Sequence, residues 1–491
     1  VYKRQVWFIA TEDFTTVTVS NFKDNTMLSN GTVVGATTVH TVTLNKGESY
    51  IYETISDQSV SDLSGVNVKS DKPITLTYGD FNMVSPNLSN NDIFMDQSIP
   101  VDRLGTEYIL MKGNGNLNTQ MEQAIVVATQ DNTNVYVNGS TTPINIAKKG
   151  QYVYIESSNY VLANAASDAY NMYIRTDKNA YVYQLLAGVD EGSSAANSYA
   201  SGGMNLIPPL ACLLPQTIDE LPYVDSVPYS SSIAFNTRIN IITQKGSTVK
   251  LNGTTLSGNY GPFDVPGNNT WETYTYPQAT GNIKIESTNA VTAGIAGGNM
   301  AVGYGGYFAG FNSIPVVSKG GDCDKENLTL EVDDTYDSYQ WYKNGQPYTG
   351  TGANTYKIAP DGAGSYYVKI IKNNCGTMDS PVYMLQPCPI KTVLNVDTGK
   401  CAPLKVMPKF AASQQAVDPK SVIIVTRPAN GTVTVDQNTG EITYTLTNTS
   451  ATSDTFSFKF QGISTTFPDV EVITVNITLK DFDVYNGSAK A

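Results

Sequence analysis

This 491-residue chain has little capacity for histidine-based acid–base or nucleophilic chemistry. His40 is the single histidine, and it alternates with Val42 and Leu44 as in a strand, which predicts a structural side chain on or beside a buried face. A Ser-His-Asp or Cys-His nucleophile would need that one histidine and an oxyanion site, for which no segment stands out. The sequence also has no HExxH, GxSxG, P-loop or dinucleotide-binding motif. We therefore predict that the protein is not an enzyme.

Acidic residues are plentiful, but their spacing matches neither a hydrolase nor a calcium loop. A glycosidase needs two carboxylates at a defined separation, which a sequence does not reveal. The run of Glu331, Asp333, Asp334 and Asp337 lacks the Asp-x-Asp-x-Asp-Gly order of a dedicated calcium loop. We predict that this run is a solvated acidic edge and that the protein has no cofactor, with calcium as the alternative.

An aromatic segment near residue 305 is the strongest candidate for a binding site. Its rings are flanked by glycines, and they could stack on a sugar ring or anchor a protein partner. The alternative is that the rings tuck under the segment and cover a hydrophobic core. The candidate ligand-binding residues are Tyr304, Tyr307, Phe308 and Phe311.

Five cysteines are present, and none of them has the CxxC spacing of a zinc site. In an exported protein, Cys323, Cys375, Cys388 and Cys401 are disulfide candidates. Two pairings are possible, Cys323–Cys375 across one domain and Cys388–Cys401 locally, although four cysteines allow three connectivities. Cys212 would then be a buried apolar thiol.

The composition indicates an all-β protein built of sandwiches or barrels. Charged residues are only 15%, while Thr, Ser, Asn, Gly and 31 Tyr favour half-buried strands and turns. The net charge of −13 would repel a phosphate backbone, so we predict no nucleic-acid partner. The uncharged stretch 287–318 is rich in Gly and Asn, which argues against membrane insertion. No signal peptide precedes the first predicted strand, so we expect export signals to lie outside this sequence.

Three segments of the chain resemble one another, which predicts an internal repeat. In each copy, apolar residues alternate as in a strand, and copies two and three continue into Asn-Gly pairs that are typical of tight hairpins. An Ile-Pro pair closes each copy. The matching segments are FIATEDFTTVTV (8–19), VVATQDNTNVYV (126–137) and NIITQKGSTVKL (240–251), and the Ile-Pro pairs begin at residues 99, 207 and 314.

A long segment precedes the Ile-Pro pair in every copy and is predicted to be a loop. These segments span residues 80–97, 189–205 and 299–312. Loops of roughly 15 residues or more in compact domains are usually functional or disordered. The third segment contains the aromatic candidates.

The last third of the chain resembles domains of bacterial surface proteins. Residues 338–370 resemble an immunoglobulin-like domain with a strand-embedded Trp341 and a turn at 343–345. Residues 427–446 resemble cadherin-like or immunoglobulin-like modules, with a hairpin turn at 438–440.

The N-terminal region is similar to the domain named after the IgG-Fc-binding protein. The residues that carry this resemblance are 126–139, 205–212 and 234–253. Residues 481–487 resemble the entry to the gliding-motility-associated C-terminal domains of type IX secretion substrates. Together these features resemble exported surface proteins of Bacteroidota, and the resemblance implies surface display and binding of Fc or a mucin-like glycoprotein.

We therefore predict an all-β protein of several domains. The predicted domains are three β-sandwich-like repeats within 6–318 (about 6–100, 101–208 and 209–318), an immunoglobulin-like domain in 323–387, a cadherin-like or immunoglobulin-like domain in 388–480, and the start of a further region in 481–491.

The favoured function is an adhesin in which the repeats recognise an extracellular glycan or glycoprotein and the later domains form a stalk. It predicts that the three long segments form an exposed, clustered face. A structural spacer, the alternative, predicts that they are packed or dispersed. A carbohydrate-active enzyme is the third hypothesis, and it requires a cleft with two facing carboxylates.

Overall fold

Strands make up almost all of the regular structure in the computed structural model. The chain divides into two compact units, Val1–Ile314 and Pro315–Ala491. Among the described residues, four short 3-10 helices join strands, at Val101–Arg103, Ser157–Asn159, Gly258–Tyr260 and Pro419–Ser421. The structure describes residues 4–54, 62–84, 91–117, 122–185, 203–227, 230–299, 302–308, 314–321, 323, 327–372 and 376–481.

The strands of the first unit follow the three sequence copies. Repeat 1 contains β1 (Arg4–Ala10), β2 (Thr15–Ser20), β3 (Thr26–Met27), β4 (Val33–Val34), β5 (His40–Leu44), β6 (Ser49–Glu53), β7 (Asn67–Ser70), β8 (Ile74–Val84) and β9 (Asn91–Gln97). Repeat 2 contains β10 (Glu107–Met111), β11 (Ala124–Ala128), β12 (Thr133–Val137), β13 (Ile144–Ile146), β14 (Tyr152–Ile155), β15 (Val161–Asn164), β16 (Ala169–Thr176), β17 (Ala180–Leu185) and β18 (Met204–Leu206). Repeat 3 contains β19 (Thr217–Leu221), β20 (Ser226–Val227), β21 (Ser230–Ala234), β22 (Asn236–Gln244), β23 (Val249–Leu251), β24 (Thr254–Thr255), β25 (Phe263–Val265), β26 (Asn268–Tyr276), β27 (Ile283–Ser287), β28 (Val291–Asn299) and β29 (Val302–Phe308).

Each repeat is a two-layer sandwich, and equivalent strands take the same order in all three. Sheet A has the order β6-β1-β8-β9 in repeat 1, β14-β11-β17-β18 in repeat 2 and β26-β22-β28-β29 in repeat 3. Sheet B has the order β5-β2-β7, then β13-β12-β16-β10, then β24-β23-β27-β19. The predicted all-β fold of related sandwiches is therefore confirmed.

The alternating apolar residues of the sequence repeat form the cores between the two sheets. A strand points successive side chains to opposite faces, so every second residue enters the core. Val17 and Val19 of β2, Val135 of β12, and Val249 and Leu251 of β23 are all buried in the cores of their own repeats.

The two Asn-Gly turns have the backbone geometry that their sequence predicts. Asn138 and Gly139 have φ angles of 51° and 77°, and Asn252 and Gly253 have φ angles of 49° and 79°. Two successive positive φ angles match the right-handed twist of the flanking strands. Both pairs therefore lie in the turns of hairpins, the first between β12 and β13 and the second between β23 and β24.

The prediction of long loops before the Ile-Pro pairs is wrong where the structure describes them. Residues 80–84 and 91–97 belong to β8 and β9, which pair with each other, and β29 pairs with β28. For the second segment, β18 pairs with β17, and residues 189–202 lie outside the described residues. These polar and glycine-rich segments extend sheet A, because backbone hydrogen bonds to an existing strand compensate for their weak strand propensity.

Repeats 2 and 3 pack against each other through the outer faces of two sheets. Ile109, Met111 and Tyr173 of repeat 2 share an apolar cluster with Ile242 and Trp271 of repeat 3. We call this contact the repeat 2–3 seam. It joins sheet B of one sandwich to sheet A of the next, so these strands are buried on both faces.

The second unit contains two further sandwiches. The first contains β30 (Ser318–Gly320), β31 (Thr329–Glu331), β32 (Ser338–Lys343), β33 (Gln346–Pro347), β34 (Lys357–Ile358), β35 (Gly364–Lys372), β36 (Gly376–Asp379) and β37 (Tyr383–Leu385). The second contains β38 (Ile390–Gly399), β39 (Leu404–Val406), β40 (Ile423–Thr426), β41 (Gly431–Val435), β42 (Ile442–Leu446), β43 (Ser453–Gln461) and β44 (Val470–Lys480).

Both sandwiches of the second unit contain the features that their sequence predicts. Trp341 of β32 is fully buried, and its indole N–H donates to the Thr355 carbonyl at 2.8 Å. The predicted hairpin joins β41 to β42, where Val433 pairs with Tyr444 and Val435 pairs with Ile442.

The predicted cysteine pairings are wrong. Cys323 is bonded to Cys388, with their Cα atoms 5.6 Å apart, so one bridge joins the two ends of the first sandwich of the second unit. Cys401 is free and exposed. Cys212 is disulfide-bonded and only half-buried, so it is not a buried thiol. Cys375 lies outside the described residues.

Candidate binding site

Three of the predicted aromatic residues, Tyr304, Tyr307 and Phe308, lie in β29 and direct their rings toward the interior of the first unit. Tyr304 and Phe308 pack against the core of repeat 3, and Tyr307 packs into the repeat 2–3 seam and against the core of repeat 2. Phe311 lies outside the described residues. The structure therefore does not bring the three described residues together on one surface.

Glycines on the neighbouring strand explain why these rings lie flat against the sheet. Gly297 is paired with Tyr304 and Gly294 with Tyr307. A Cβ atom added at Gly297 would lie 2.5 Å from the Tyr304 ring, and one at Gly294 would lie 2.9 Å from the Tyr307 ring. The rings therefore occupy the space that the missing side chains leave.

Internal hydrogen bonds hold the two tyrosine hydroxyl groups. The Tyr307 hydroxyl donates to Gln184 Oε1 at 2.8 Å, and the Tyr304 hydroxyl donates to the Val224 carbonyl. Burial raises the pKa of both phenols, which therefore stay protonated as donors. This geometry suits a structural role.

A different group of residues lies in one row across the outer face of sheet B in repeat 2. Arg175 of β16 is paired with Glu107 of β10 on one side and with Tyr136 of β12 on the other. On the same face of the first two strands, the next pair is Ile109 with Tyr173, and both residues belong to the repeat 2–3 seam. The row therefore lies at the rim of the seam, where the sheet emerges from under repeat 3.

The Arg175 guanidinium lies over the Tyr136 ring, with 4.1 Å between its central carbon and the ring centroid. This distance is within the range of a cation–π contact. Arg175 is exposed, and no carboxylate of a described residue lies within ion-pair distance of it. Its N–H groups therefore remain available to a ligand.

The Glu107 carboxylate is held by a different neighbour. The buried Tyr173 hydroxyl donates a hydrogen bond to Glu107 Oε1. Burial, and secondly this contact with Glu107, raise the pKa of the Tyr173 phenol, so it remains a donor at physiological pH. Glu107 therefore stays beside Tyr173 and forms no ion pair with Arg175.

The row forms one wall of an open cleft of about 500 Å³, which we call the Arg175 cleft. Clefts of this size are common for small ligands. Two hairpin turns form the rest of the cleft. The turn after β12 contains the exposed hydroxyl groups of Ser140 and Thr141. The turn before β26 contains Gly267, whose backbone touches that of Gly139. The lining residues outside the row are Gly139, Ser140, Thr141, Tyr173 and Gly267.

The residues considered for catalysis and calcium do not converge elsewhere. Among the described residues, no three His, Cys, Asp or Glu side chains are close enough to hold a metal ion. Glu331 instead pairs with Lys357 at 3.0 Å, and His40 hydrogen-bonds the buried Tyr52. Glu107 is the one carboxylate among the described residues that line the Arg175 cleft.

The sequence holds only a weak signal for this site. Arg175 lies in the repeat block MYIRTDKNA, where it alternates with buried residues, so its exposure could be predicted from periodicity. Its neighbours Glu107 and Tyr136 are distant in sequence, and only the order of the sheet brings them together.

Residues 1–297 match the model of a protein family described as IgGFc binding protein. This chain belongs to that family. The IgGFc binding protein family consists of extracellular, binding-type domains and is not an enzyme family. The match includes all of the residues that line the Arg175 cleft. No curated protein matches the chain, and no helix among its described residues is long and apolar enough to cross a membrane.

Proposed function

We propose that this protein is an adhesin-type binding protein that recognises an extracellular glycoprotein through the Arg175 cleft. The family supports binding outside the cell, and its description makes the Fc part of immunoglobulin G the first partner to test. The observation that carries the site is the exposed Arg175 guanidinium, stacked on Tyr136 and free of an ion-pair partner among the described residues. Exposed Arg and Tyr side chains dominate the energetics of many binding surfaces.

The two sandwiches of the second unit act as a stalk in this proposal. Their resemblance to immunoglobulin-like and cadherin-like modules of bacterial surface proteins supports a spacing role. The resemblance at residues 481–487 supports display by type IX secretion in a member of the Bacteroidota. A fold alone does not define function, so the stalk role is tested by deleting the second unit from an otherwise active chain and measuring retained binding.

A binding panel with matched variants tests the proposed site. The full chain is titrated against immunoglobulin G, mucins and glycans, alongside Tyr136→Ala and Arg175→Gln. The controls are Tyr223→Ala and Lys250→Gln, which alter exposed side chains on repeat 3. We expect saturable binding that falls at least tenfold in both cleft variants and is unchanged in both controls. Binding that survives both cleft substitutions would contradict the assignment.

A spacer is the second candidate, and one observation favours it. Tyr304, Tyr307 and Phe308 pack inside the first unit, which is the arrangement that a purely structural role predicts. In that case the whole panel would show no saturable binding to a folded protein.

A further inference from the structure

We propose that the Arg175 cleft binds the carboxylate of an acidic sugar at the end of a glycan. This inference rests on the proposed function and gives its ligand a chemical class. It is carried by the unpaired guanidinium, by the position of the neighbouring carboxylate, and by the hydroxyl and aromatic groups around them.

The guanidinium of Arg175 is prepared for a planar anion. A guanidinium presents a rigid set of N–H donors that match the two oxygens of a carboxylate. None of these N–H groups donates a hydrogen bond to a described residue. The Tyr136 ring, 4.1 Å from the central carbon of the guanidinium, limits how the group can turn. A ligand carboxylate therefore meets donors that are already oriented.

Glu107 is the obvious internal partner of Arg175, because the two residues are directly paired across β10 and β16. The Tyr173 hydroxyl nevertheless holds Glu107, and no ion pair forms. Tyr173 packs in the repeat 2–3 seam, and this packing holds its hydroxyl group beside Glu107 at the wall of the cleft.

The remainder of the cleft suits a sugar ring more than an extended apolar ligand. Thr141 offers an exposed hydroxyl group, and the exposed Ser140 hydroxyl also bonds Thr142 within the turn; the half-buried Tyr136 ring lines the same cleft. Sugars combine hydroxyl groups with weakly apolar C–H faces, and aromatic rings pack well against such faces. Because the cleft is open, it could hold the terminal sugar of a glycan while the rest of the glycan extends into solvent.

The direct test is calorimetric titration of the full chain with 3′-sialyllactose. The comparison ligands are lactose, which lacks the acidic sugar, the methyl ester of sialyllactose, which lacks the charge, and lactose 3′-sulfate, which has a tetrahedral anion. We expect sialyllactose to bind at least tenfold more tightly than each of the three. Equal affinity for lactose or the ester would show that the cleft does not require an anion. Equal affinity for the sulfate would show that it does not select a carboxylate.

Three variants assign the binding to the cleft. Arg175→Lys keeps the positive charge but removes the planar pair of N–H donors, so we expect at least a tenfold loss of affinity for sialyllactose. Glu107→Gln can still accept from Tyr173 but removes the negative charge beside Arg175, so we expect tighter binding. Lys250→Gln is the control and leaves the affinity unchanged. Full affinity in Arg175→Lys, or weaker binding in Glu107→Gln, would overturn the inference.

Sialidase treatment separates this inference from the proposed function. If a glycoprotein binds in an Arg175-dependent manner and loses binding after sialidase treatment, both stand. If the Arg175-dependent binding survives the treatment, the acidic-sugar inference fails and the proposed function remains. If no Arg175-dependent binding of any glycoprotein exists, the proposed function fails, and the sialyllactose titration still decides the chemistry of the cleft.

Discussion

The Asp168 carboxylate forms ion pairs with a cation of repeat 2 and a cation of repeat 3. Its Oδ2 accepts from Lys112 Nζ at 2.7 Å and from Arg238 Nη2 at 3.0 Å. Both cations are only 6% exposed, whereas the Asp168 side chain is half-exposed. The seam therefore depends on one carboxylate that balances two buried positive charges.

Replacing Asp168 by Ala would leave those two cations without their counter-charge. Two buried cations without a counter-charge are destabilising, but solvent screens the ion pairs of the half-exposed Asp168, so we expect the free energy of unfolding of the first unit to fall by about 2 kcal/mol. Hydrogen exchange of peptides from β10 and β22 measures this. Asp264→Ala is the control, because Asp264 is 85% exposed and pairs with Lys245 at the surface. Equal exchange in the two variants would contradict this account of the seam.

Asp96 gives repeat 1 a predictable response to pH. It accepts hydrogen bonds from the Leu206 and Gln97 backbone N–H groups, yet burial raises the pKa of its carboxyl above the usual value. The folded state therefore takes up a proton at a higher pH than the unfolded state does. By linkage, the Asp96 contribution to stability increases as the pH falls from 7 through this raised pKa, and it is lost again as the pH rises.

Comparison with Asp96→Asn isolates this effect. We expect the difference in free energy of unfolding, wild type minus variant, to shift in favour of the wild type between pH 7 and about pH 4. Urea denaturation at several pH values measures it. A difference that stays constant, or that shifts toward the variant, would show that Asp96 is not penalised by burial.

At the scale of elements, two hairpin tips define the edge of the Arg175 cleft. Gly139 and Gly267 touch through their backbones, and a Cβ atom on Gly267 would lie 2.3 Å from the Gly139 nitrogen. Only glycine fits at this point of approach. The contact holds the hairpin of repeat 2 against the hairpin of repeat 3, and so it sets the width of the cleft.

Gly267→Ala would push these hairpins apart, and Gly253→Ala is a matched control. Both glycines have a φ of 79°, but an added Cβ on Gly253 meets nothing within 4 Å. We expect Gly253→Ala to cost about 1 kcal/mol through backbone strain alone, and Gly267→Ala to cost about 2 kcal/mol more through the clash. Thermal unfolding and ligand titration measure both effects. Equal destabilisation with unchanged binding would show that the contact does not shape the cleft.

Local patterns allowed the strands to be predicted, but not their partners. The alternation of Val17 with Val19 and the Asn-Gly turns are properties of adjacent residues, and the structure has them as expected. A glycine–aromatic pattern is ambiguous, because an exposed loop and a strand whose rings cover neighbouring glycines share it. Tyr304 follows the second arrangement, and only the pairing of β28 with β29 decides between them.

At the scale of the whole molecule, the Cys323–Cys388 bridge joins the two ends of the first sandwich of the second unit. It spans 65 residues of sequence, and a cross-link of that length removes much of the conformational freedom of the unfolded chain. The sequence did not determine this pairing, because it depends on where β31 begins and β37 ends in space. The same limitation applies to the Arg175 cleft, whose residues come from three strands and two repeats.

Replacing Cys323 and Cys388 by Ser together should destabilise this sandwich by about 4 kcal/mol. Hydrogen exchange in β32 and β35, which hold the buried Trp341 and Tyr366, measures the loss. Cys401→Ser is the control, since that thiol is free and exposed. Unchanged protection in the double variant would mean that the bridge adds nothing to the stability of the domain.

The most direct test of the central claim is a hydrogen-exchange footprint of the full chain with and without a bound glycoprotein. If the Arg175 cleft is the binding site, backbone amides in β12, β16 and the turn that contains Ser140 and Thr141 become protected from exchange, and those in β23 of repeat 3 do not change. Protection confined to the second unit, or to sheets that do not border Arg175, would contradict it and place the binding site elsewhere.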